Sequence, residues 1–286
     1  MRVLVTGACG ALGAPVIHEL QVAGHEVVGL DRQGRPRGAV WEHWPADLRD
    51  ILALRRAVVG IDAVVHMGAI ANDRVGAADD VLNVNVAGTW NLLLASAEVG
   101  IRRVVYLSSV NSLGNFGGHR PAADLPIDDF HERHPMTPYQ LSKHLGEEVC
   151  RAFTDMHGMT TICLRPVMVA NPAWYARWHE AGPTRRSSWG RGDYWAYVDG
   201  RDVAEAVRLS LEVEGQLHDA CLLAANDTTS DQPTAQLIAE HYPDAPWPTA
   251  SLAEYVAEDP FRSLVDCRHA LRLLGWKATR TWRDHA

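Results

Sequence analysis

The stretch Thr6 to Gly13, TGACGALG, follows the apolar run Val3, Leu4, Val5 and leads into apolar residues at Leu12, Val16, Ile17 and Leu20, a helical spacing. Strand, glycine turn and helix in immediate succession leave few folds open. A tight turn calls for the first glycine, Gly7. The second, Gly10, lets a ligand come close to the backbone, and the third, Gly13, lets the helix pack against its strand. The helix N-terminus adds amide donors and a partial positive charge, so the loop of Gly7, Gly10, Ala11, Leu12 and Gly13 suits the pyrophosphate of a dinucleotide. Without a ligand, the same glycines would serve only as a turn.

The alternation of strand and helix continues along the chain. HEVVGLD (25–31), DAVVHMGA (62–69), RRVVYLSS (102–109) and TTICLRP (160–166) read as strands, and 48–59, 79–99 and 139–157 as helices between or after them. Short, nearly all-apolar strands separated by helices imply a parallel sheet covered on both faces, an α/β doubly wound fold. After Pro166 the rhythm breaks into a segment rich in Trp, Arg and Gly (167–197). It is followed by a helix over 201–212, a strand over 220–224, and helices near 233–241 and 267–274. The expected organisation is a core over 1–166 and a mixed segment over 167–286 that completes the sheet and forms a small substrate lobe.

Composition narrows the function. The 286 residues are 47% apolar, with a net charge of −8 and basic residues scattered except at 32–37 and 185–191, which argues against a nucleic-acid partner. No apolar run approaches the roughly 20 residues of a membrane helix, and the chain opens directly on a strand, so a cytoplasmic protein is expected. Five cysteines, odd in number and without a CxxC pair, suggest neither a disulfide framework nor a zinc site. His131 and His134 form HxxH in a proline-flanked stretch without a third ligand, so no metal is expected.

Asp31 ends the second strand, where a carboxylate accepts both hydroxyls of an adenosine ribose and repels a 2′-phosphate. That favours NAD. Arg32 beside it would admit the phosphate of NADP, or be a surface charge. In PYQLSK, Tyr139 and Lys143 lie four apart on one helical face, and a neighbouring ammonium is expected to lower the tyrosine pKa and make the phenol a usable acid or base. By itself such a pair is usually a surface feature.

With these features the chain resembles the extended short-chain dehydrogenases and reductases, the NAD-dependent epimerase/dehydratase family. The resemblance runs over nearly the whole chain, through TGACGALG, Asp31, Asp47-Leu48, HMGA (66–69), NVNVAGTWNLL (83–93), YLSS (106–109), YQLSK, LRP (164–166) and DGRDVAEAV (199–207). It implies that Tyr139 is the acid/base, that Lys143 also holds the nicotinamide ribose, and that a hydroxyl after the YLS strand orients the reacting group. Counting back from Gly114 makes that hydroxyl Ser109, with Ser108 inside the strand as the alternative. The resemblance also puts Asp47 and Leu48 at the adenine, the backbone of Met67 and Gly68 along the dinucleotide, and Asn85 near the cofactor. A homodimer through the helices at 79–99 and 139–157 is implied in the same way.

Departures refine the expectation. Where the family's dehydratases carry an acidic pair, this chain has Val110 and Asn111, which sets dehydration aside. Asn111 partly matches the Ser-Asn-His of uronate dehydrogenases, and Arg177 falls near the arginine those enzymes place against the substrate carboxylate, or is a surface residue. Arg185, Arg186 and Arg191 could hold a nucleotide diphosphate or form a solvated loop. Most of Trp174, Trp178, Trp189, Trp195 and Trp247 are expected in the core, with Trp174 and Trp178 sharing a helical face. The Cys9 amide rather than its thiol is expected to matter, and His66 is expected to close its strand with a hydrogen bond. The reading is an NAD-dependent oxidoreductase acting on a secondary carbinol of a sugar or sugar acid. The alternatives are a nucleotide-sugar 4-epimerase that retains its NAD and a catalytically silent dinucleotide sensor.

Overall fold

Side-chain direction alternates cleanly along the central strands, which is what a sheet covered on both faces requires. Val3 and Val5 enter one core cluster and Leu4 the other, and Val105 and Val104 divide in the same way, as do Ile162 and Cys163. In the computed structural model, which describes residues 1–182, 190–215 and 217–285, seven strands form one parallel sheet. They are β1 (Arg2–Thr6), β2 (Glu26–Asp31), β3 (Glu42–Pro45), β4 (Ala63–His66), β5 (Arg103–Leu107), β6 (Thr160–Pro166) and β9 (His218–Leu223). Their order is β3-β2-β1-β4-β5-β6-β9, doubly wound about β1. Helices α1 (Gly13–Val22) and α7 (Gly200–Glu212) supply apolar residues to one face. Helices α2 (Ile51–Ala57), α4 (Gly88–Glu98) and α5 (Pro138–His157) supply the other.

Three strands are absent from the sequence reading. β3 carries Glu42, His43, Trp44 and Pro45, none of them buried, because it is the outer strand beside β2 and has no apolar alternation. β7 (Met168–Ala170) and β8 (Tyr197–Asp199) pair in parallel as a separate two-stranded sheet, each too short for a period-2 signal. Between them, α6 (Pro172–Ala181) starts at Asn171, whose carboxamide accepts the Trp174 N–H. Trp178 packs with Tyr175, Tyr197 and Trp282 in a third core, with Trp174 half-buried at its rim. Trp195 is buried as expected, whereas Arg185, Arg186 and Trp189 lie outside the described residues.

The stretch expected as one helix over 79–99 is α3 (Ala78–Leu82) and α4 joined by a π turn at Asn83–Ala87. The strands expected to reach 69 and 109 end at His66 and Leu107, which places Ser108 beyond β5 and not within it.

Two of the three loop glycines are fixed by packing. A Cβ on Gly7, whose φ is +70°, would stand 2.8 Å from the Gly68 nitrogen, and one on Gly13 would stand 2.0 Å from the Ala8 carbonyl oxygen. On Gly10 it would meet only the Gly7 carbonyl oxygen, at 3.1 Å. Gly13→Ala is expected to lower unfolding stability by about 3 kcal/mol, because backbone must move to make room. Gly24→Ala, with a positive φ but nothing within 4 Å, should cost about 1 kcal/mol. Urea unfolding of the two variants checks this, and equal losses would contradict it.

Candidate active site

Ser109, Tyr139 and Lys143 lie where the carboxyl end of β5 meets the start of α5, and Asp31 lies with the glycine loop at the ends of β1 and β2. Asp31, at the end of β2, is half-buried and accepts hydrogen bonds from the backbone N–H of Cys9 (3.0 Å) and Gln33 (2.9 Å). The glycine loop is thereby tied to the carboxylate through the Cys9 amide. The Cys9 thiol turns toward the Gln33 and Gly34 carbonyls, and burial, then the neighbouring Asp31, push its pKa up. Arg32 is exposed. Among the described residues, no acceptor pairs with the N–H of Ala11 or Leu12.

Leu48 is buried against the positions of Gly68 and Gly88, so its role here is to pack under the β4 turn. Both Asp47 oxygens are taken by Arg49, which holds that carboxylate below its usual range. The Met67 N–H donates to the Thr6 carbonyl, and the Gly68 N–H to the Thr6 hydroxyl at 3.1 Å.

His66, fully buried, bridges Thr6 Oγ1 (2.7 Å from Nδ1) and Thr89 Oγ1 (2.9 Å from Nε2). Because Thr89 already donates to the Asn85 carbonyl, it must accept from His66, which assigns the proton to Nε2. Hydrogen bonds then run in one direction from the Gly68 amide through Thr6, His66 and Thr89 to Asn85. Asn85 accepts from the Ile70 N–H (2.7 Å) and donates to the Ile70 carbonyl and to Ser142 Oγ (both 3.0 Å). Its side chain thus fastens the 67–70 turn to α5, and the π turn that carries it has no signal in the sequence.

Helix α5 starts on Thr137, whose hydroxyl caps the Gln140 N–H, and Asp73 accepts both the Thr137 hydroxyl and the Tyr139 N–H at 2.7 Å. A carboxylate at a helix N-terminus is favourable. No sequence pattern ties Asp73 to a helix whose Tyr139 lies 66 residues downstream. Ser109 accepts from the backbone N–H (3.1 Å) and the carboxamide (3.3 Å) of Asn111, which leaves its own proton to act on the Tyr139 phenol. Ser108 instead donates to Glu147 at 2.6 Å. The two serines thus have different partners, and Gly114 has φ +84° and no room for a Cβ beside the His134 carbonyl.

Lys143 is buried, donates to the Leu107 carbonyl at 2.7 Å and stands 5.9 Å from the centre of the Tyr139 ring. One expectation is overturned here. Burial pushes Tyr139 up to about 12, with the Ser109 hydroxyl acting against the rise and Asp73 adding to it. Burial also brings Lys143 down to about 8 while Glu147 opposes the fall. Desolvation penalises phenolate and ammonium alike, and the pair does not escape it by adjacency alone.

Arg177 lies exposed on α6, its guanidinium 5.0 Å from the centre of the Trp174 ring. The same helix is fixed to the C-terminal residues by His179 and Trp282. Of HxxH, His131 contacts Asp128 and Asp124 while His134 contacts Glu132, so the two rings serve separate partners.

A sequence profile of the NAD dependent epimerase/dehydratase family matches residues 3–220, more than half of the chain. The chain belongs to that family. A uronate dehydrogenase of Pseudomonas syringae pv. tomato is 30% identical over 167 residues, 57% of this chain and 58% of that protein; the chain therefore spans under two thirds of the curated relative it matches. Among solved structures, a short-chain dehydrogenase/reductase superfamily protein from Agrobacterium tumefaciens with bound NAD superposes with a TM-score of 0.73 at 22% identity, covering 100% of this chain and 94% of the other. UDP-glucose 4-epimerase of Thermus thermophilus in complex with NAD gives a TM-score of 0.70 at 25% identity, covering 98% and 95%. The family is an enzyme family that depends on NAD, and the doubly wound fold agrees with these neighbours. Among the described residues no helix is long and apolar enough to cross a membrane.

The buried histidine gives a pH dependence whose sign follows from its environment. Burial first, and Lys143 second, bring His66 down to about 3 from 6.5. Between those values the unfolded chain binds a proton that the folded one refuses, so stability falls as pH drops from 6.5 toward 3. From pH 7 to pH 4 the loss from this group should be about 3 kcal/mol. Urea unfolding of His66→Gln and the parent at both pH values should show a shallower fall in the variant, and parallel falls would remove His66 as the cause.

Proposed function

We propose that this protein is an NAD-dependent oxidoreductase that oxidises a secondary carbinol of a free sugar acid or sugar. The observation carrying this reading is the arrangement of Ser109, Tyr139 and Lys143 around one point. A hydroxyl donor, a phenol and an ammonium lie together beside the turn after β5. The 30% identity to a uronate dehydrogenase supports the acid-bearing substrate class, and Val110 and Asn111 in place of an acidic pair argue against dehydration.

The residues fit a dinucleotide. The unpaired Ala11 and Leu12 amides at the start of α1, with Gly10 leaving the approach open, suit a pyrophosphate, and Asp31 suits an adenosine ribose. Met67 and Gly68 would line the dinucleotide by their backbone, and Lys143 would hold the nicotinamide ribose. NAD, when bound, supplies the hydride acceptor. The chain's own part is to position the substrate oxygen between Ser109 and Tyr139 and to take its proton onto the Tyr139 phenol oxygen. Arg177 is the proposed partner of the substrate carboxylate. The lobe formed after residue 166 and a homodimer through α4 and α5 belong to the same proposal.

The 25% identity to a UDP-glucose 4-epimerase favours a second reading, in which the cofactor stays bound and no net redox occurs. Absorbance at 340 nm with NAD and D-glucuronate, D-galacturonate and free aldoses separates the two. Accumulating NADH supports the dehydrogenase, whereas a flat trace with epimer formed from a nucleotide sugar supports the epimerase. Tyr139→Phe should lower turnover by about 10²–10⁴-fold while NAD binding is retained. Unchanged turnover would remove Tyr139 as the acid/base, and no turnover of the parent with any sugar or nucleotide sugar would leave a dinucleotide sensor.

A further inference from the structure

Four residues beyond Lys143, on the same face of α5, stands Glu147, whose side chain no step above uses. It is completely buried, accepts three hydrogen bonds and forms an ion pair with Arg133 as well. Ser108 Oγ (2.6 Å) and Arg165 Nε (2.9 Å) reach one oxygen, and Arg165 Nη2 (2.8 Å) and Arg133 Nη1 (2.9 Å) reach the other. Arg165, near the end of β6, is itself held by Asp129 at 3.1 Å. A buried carboxylate survives only with its hydrogen bonds filled, and here they are filled by groups flanking the turn after β5. Lys143 binds the Leu107 carbonyl and Glu147 binds the Ser108 hydroxyl, so one helix face grips the two residues that immediately precede Ser109.

The charges around Lys143 point the same way. From β4 it faces His66, kept neutral by burial; from β5, Tyr106, pushed up by burial; from β6, the Cys163 thiol, also pushed up. On α5 itself it faces Tyr139, Cys150 and Glu147. Glu147 is the one carboxylate in that set.

We propose that Glu147 is a positioning residue for the reaction, its carboxylate fixing the turn that presents Ser109 and balancing the buried Lys143 ammonium beside Tyr139. This rests on the dehydrogenase reading for its consequence in turnover, but its electrostatic half can be tested without any substrate.

The sequence contains only two lysines, Lys143 and Lys277, and the second is exposed. In protein labelled with ¹³C-lysine, the Lys277→Arg background leaves Lys143 as the single side-chain ε resonance, whose titration is read directly. Glu147→Gln in that background should move the Lys143 midpoint down by about one pH unit or more, and Glu147→Asp should restore most of it. A folded Glu147→Gln variant with an unmoved midpoint would overturn the electrostatic role.

Ser108→Ala, which keeps the charge and removes the link to the turn, covers the case in which Glu147 variants do not fold. It should leave the Lys143 midpoint in place and lower kcat with D-glucuronate about tenfold or more at unchanged KM for NAD. Wild-type kcat would overturn the positioning role. Absence of turnover in the parent protein with every sugar tested would fail the dehydrogenase reading alone, since the Lys143 titration still judges Glu147.

Discussion

The site depends on the burial of one charged face of α5 against the ends of β5 and β6. Tyr139, Lys143 and Glu147 recur every fourth residue, and water is removed from the latter two. An ammonium and a carboxylate in that position are costly unless each finds fixed partners. Lys143 finds the Leu107 carbonyl, and Glu147 finds Ser108, Arg133 and Arg165. Leu107 and Ser108 immediately precede Ser109, while Arg165 comes from β6 and Arg133 from the stretch before α5. The same contacts that make burial tolerable also set the geometry, so the site is stiff for the reason that it is dry.

The other half of the site is organised by close backbone approach. Gly7 allows the turn after β1 to lie against the turn after β4, and Gly68 donates back to Thr6. From Thr6 the hydrogen bonds run through His66 and Thr89 to Asn85, which fastens the β4 turn and, through Ser142, reaches α5. The glycine loop and α5 are therefore two ends of one buried polar network. Neutral His66 is suited to its middle, because a ring that must accept at Nδ1 and donate at Nε2 cannot be protonated without breaking a bond.

Much of this was legible in the sequence, for physical reasons that also mark where legibility stopped. The buried strands β1, β2, β4, β5 and β6 announce themselves as apolar runs, whereas β3 lacks them because an outer strand has little to bury, and β7 and β8 are only three residues long. Tyr139 and Lys143 are visible because helical spacing is local, and Glu147 was equally visible by that spacing. Asp73, Arg133 and Arg165 reach the site from other elements, and no local pattern records such contacts. Spacing makes Lys143 a neighbour of Tyr139 but carries no record of desolvation, which in the folded protein acts on both. Arg177 stands where helical periodicity allows, on an exposed face of α6, and sequence alone carries no account of what that face meets.

The central claim is that the glycine loop, Asp31, Tyr139 and Lys143 form one cradle for a dinucleotide. It is tested most directly by a crystal structure of the protein grown with NAD. The account predicts pyrophosphate on the Ala11 and Leu12 amides, the adenosine ribose on Asp31, and the nicotinamide ribose against Tyr139 and Lys143. Density for NAD elsewhere, for example in the cavity of about 230 Å³ lined by Asn226, Asp259 and Arg280, with the glycine loop bare, would contradict it.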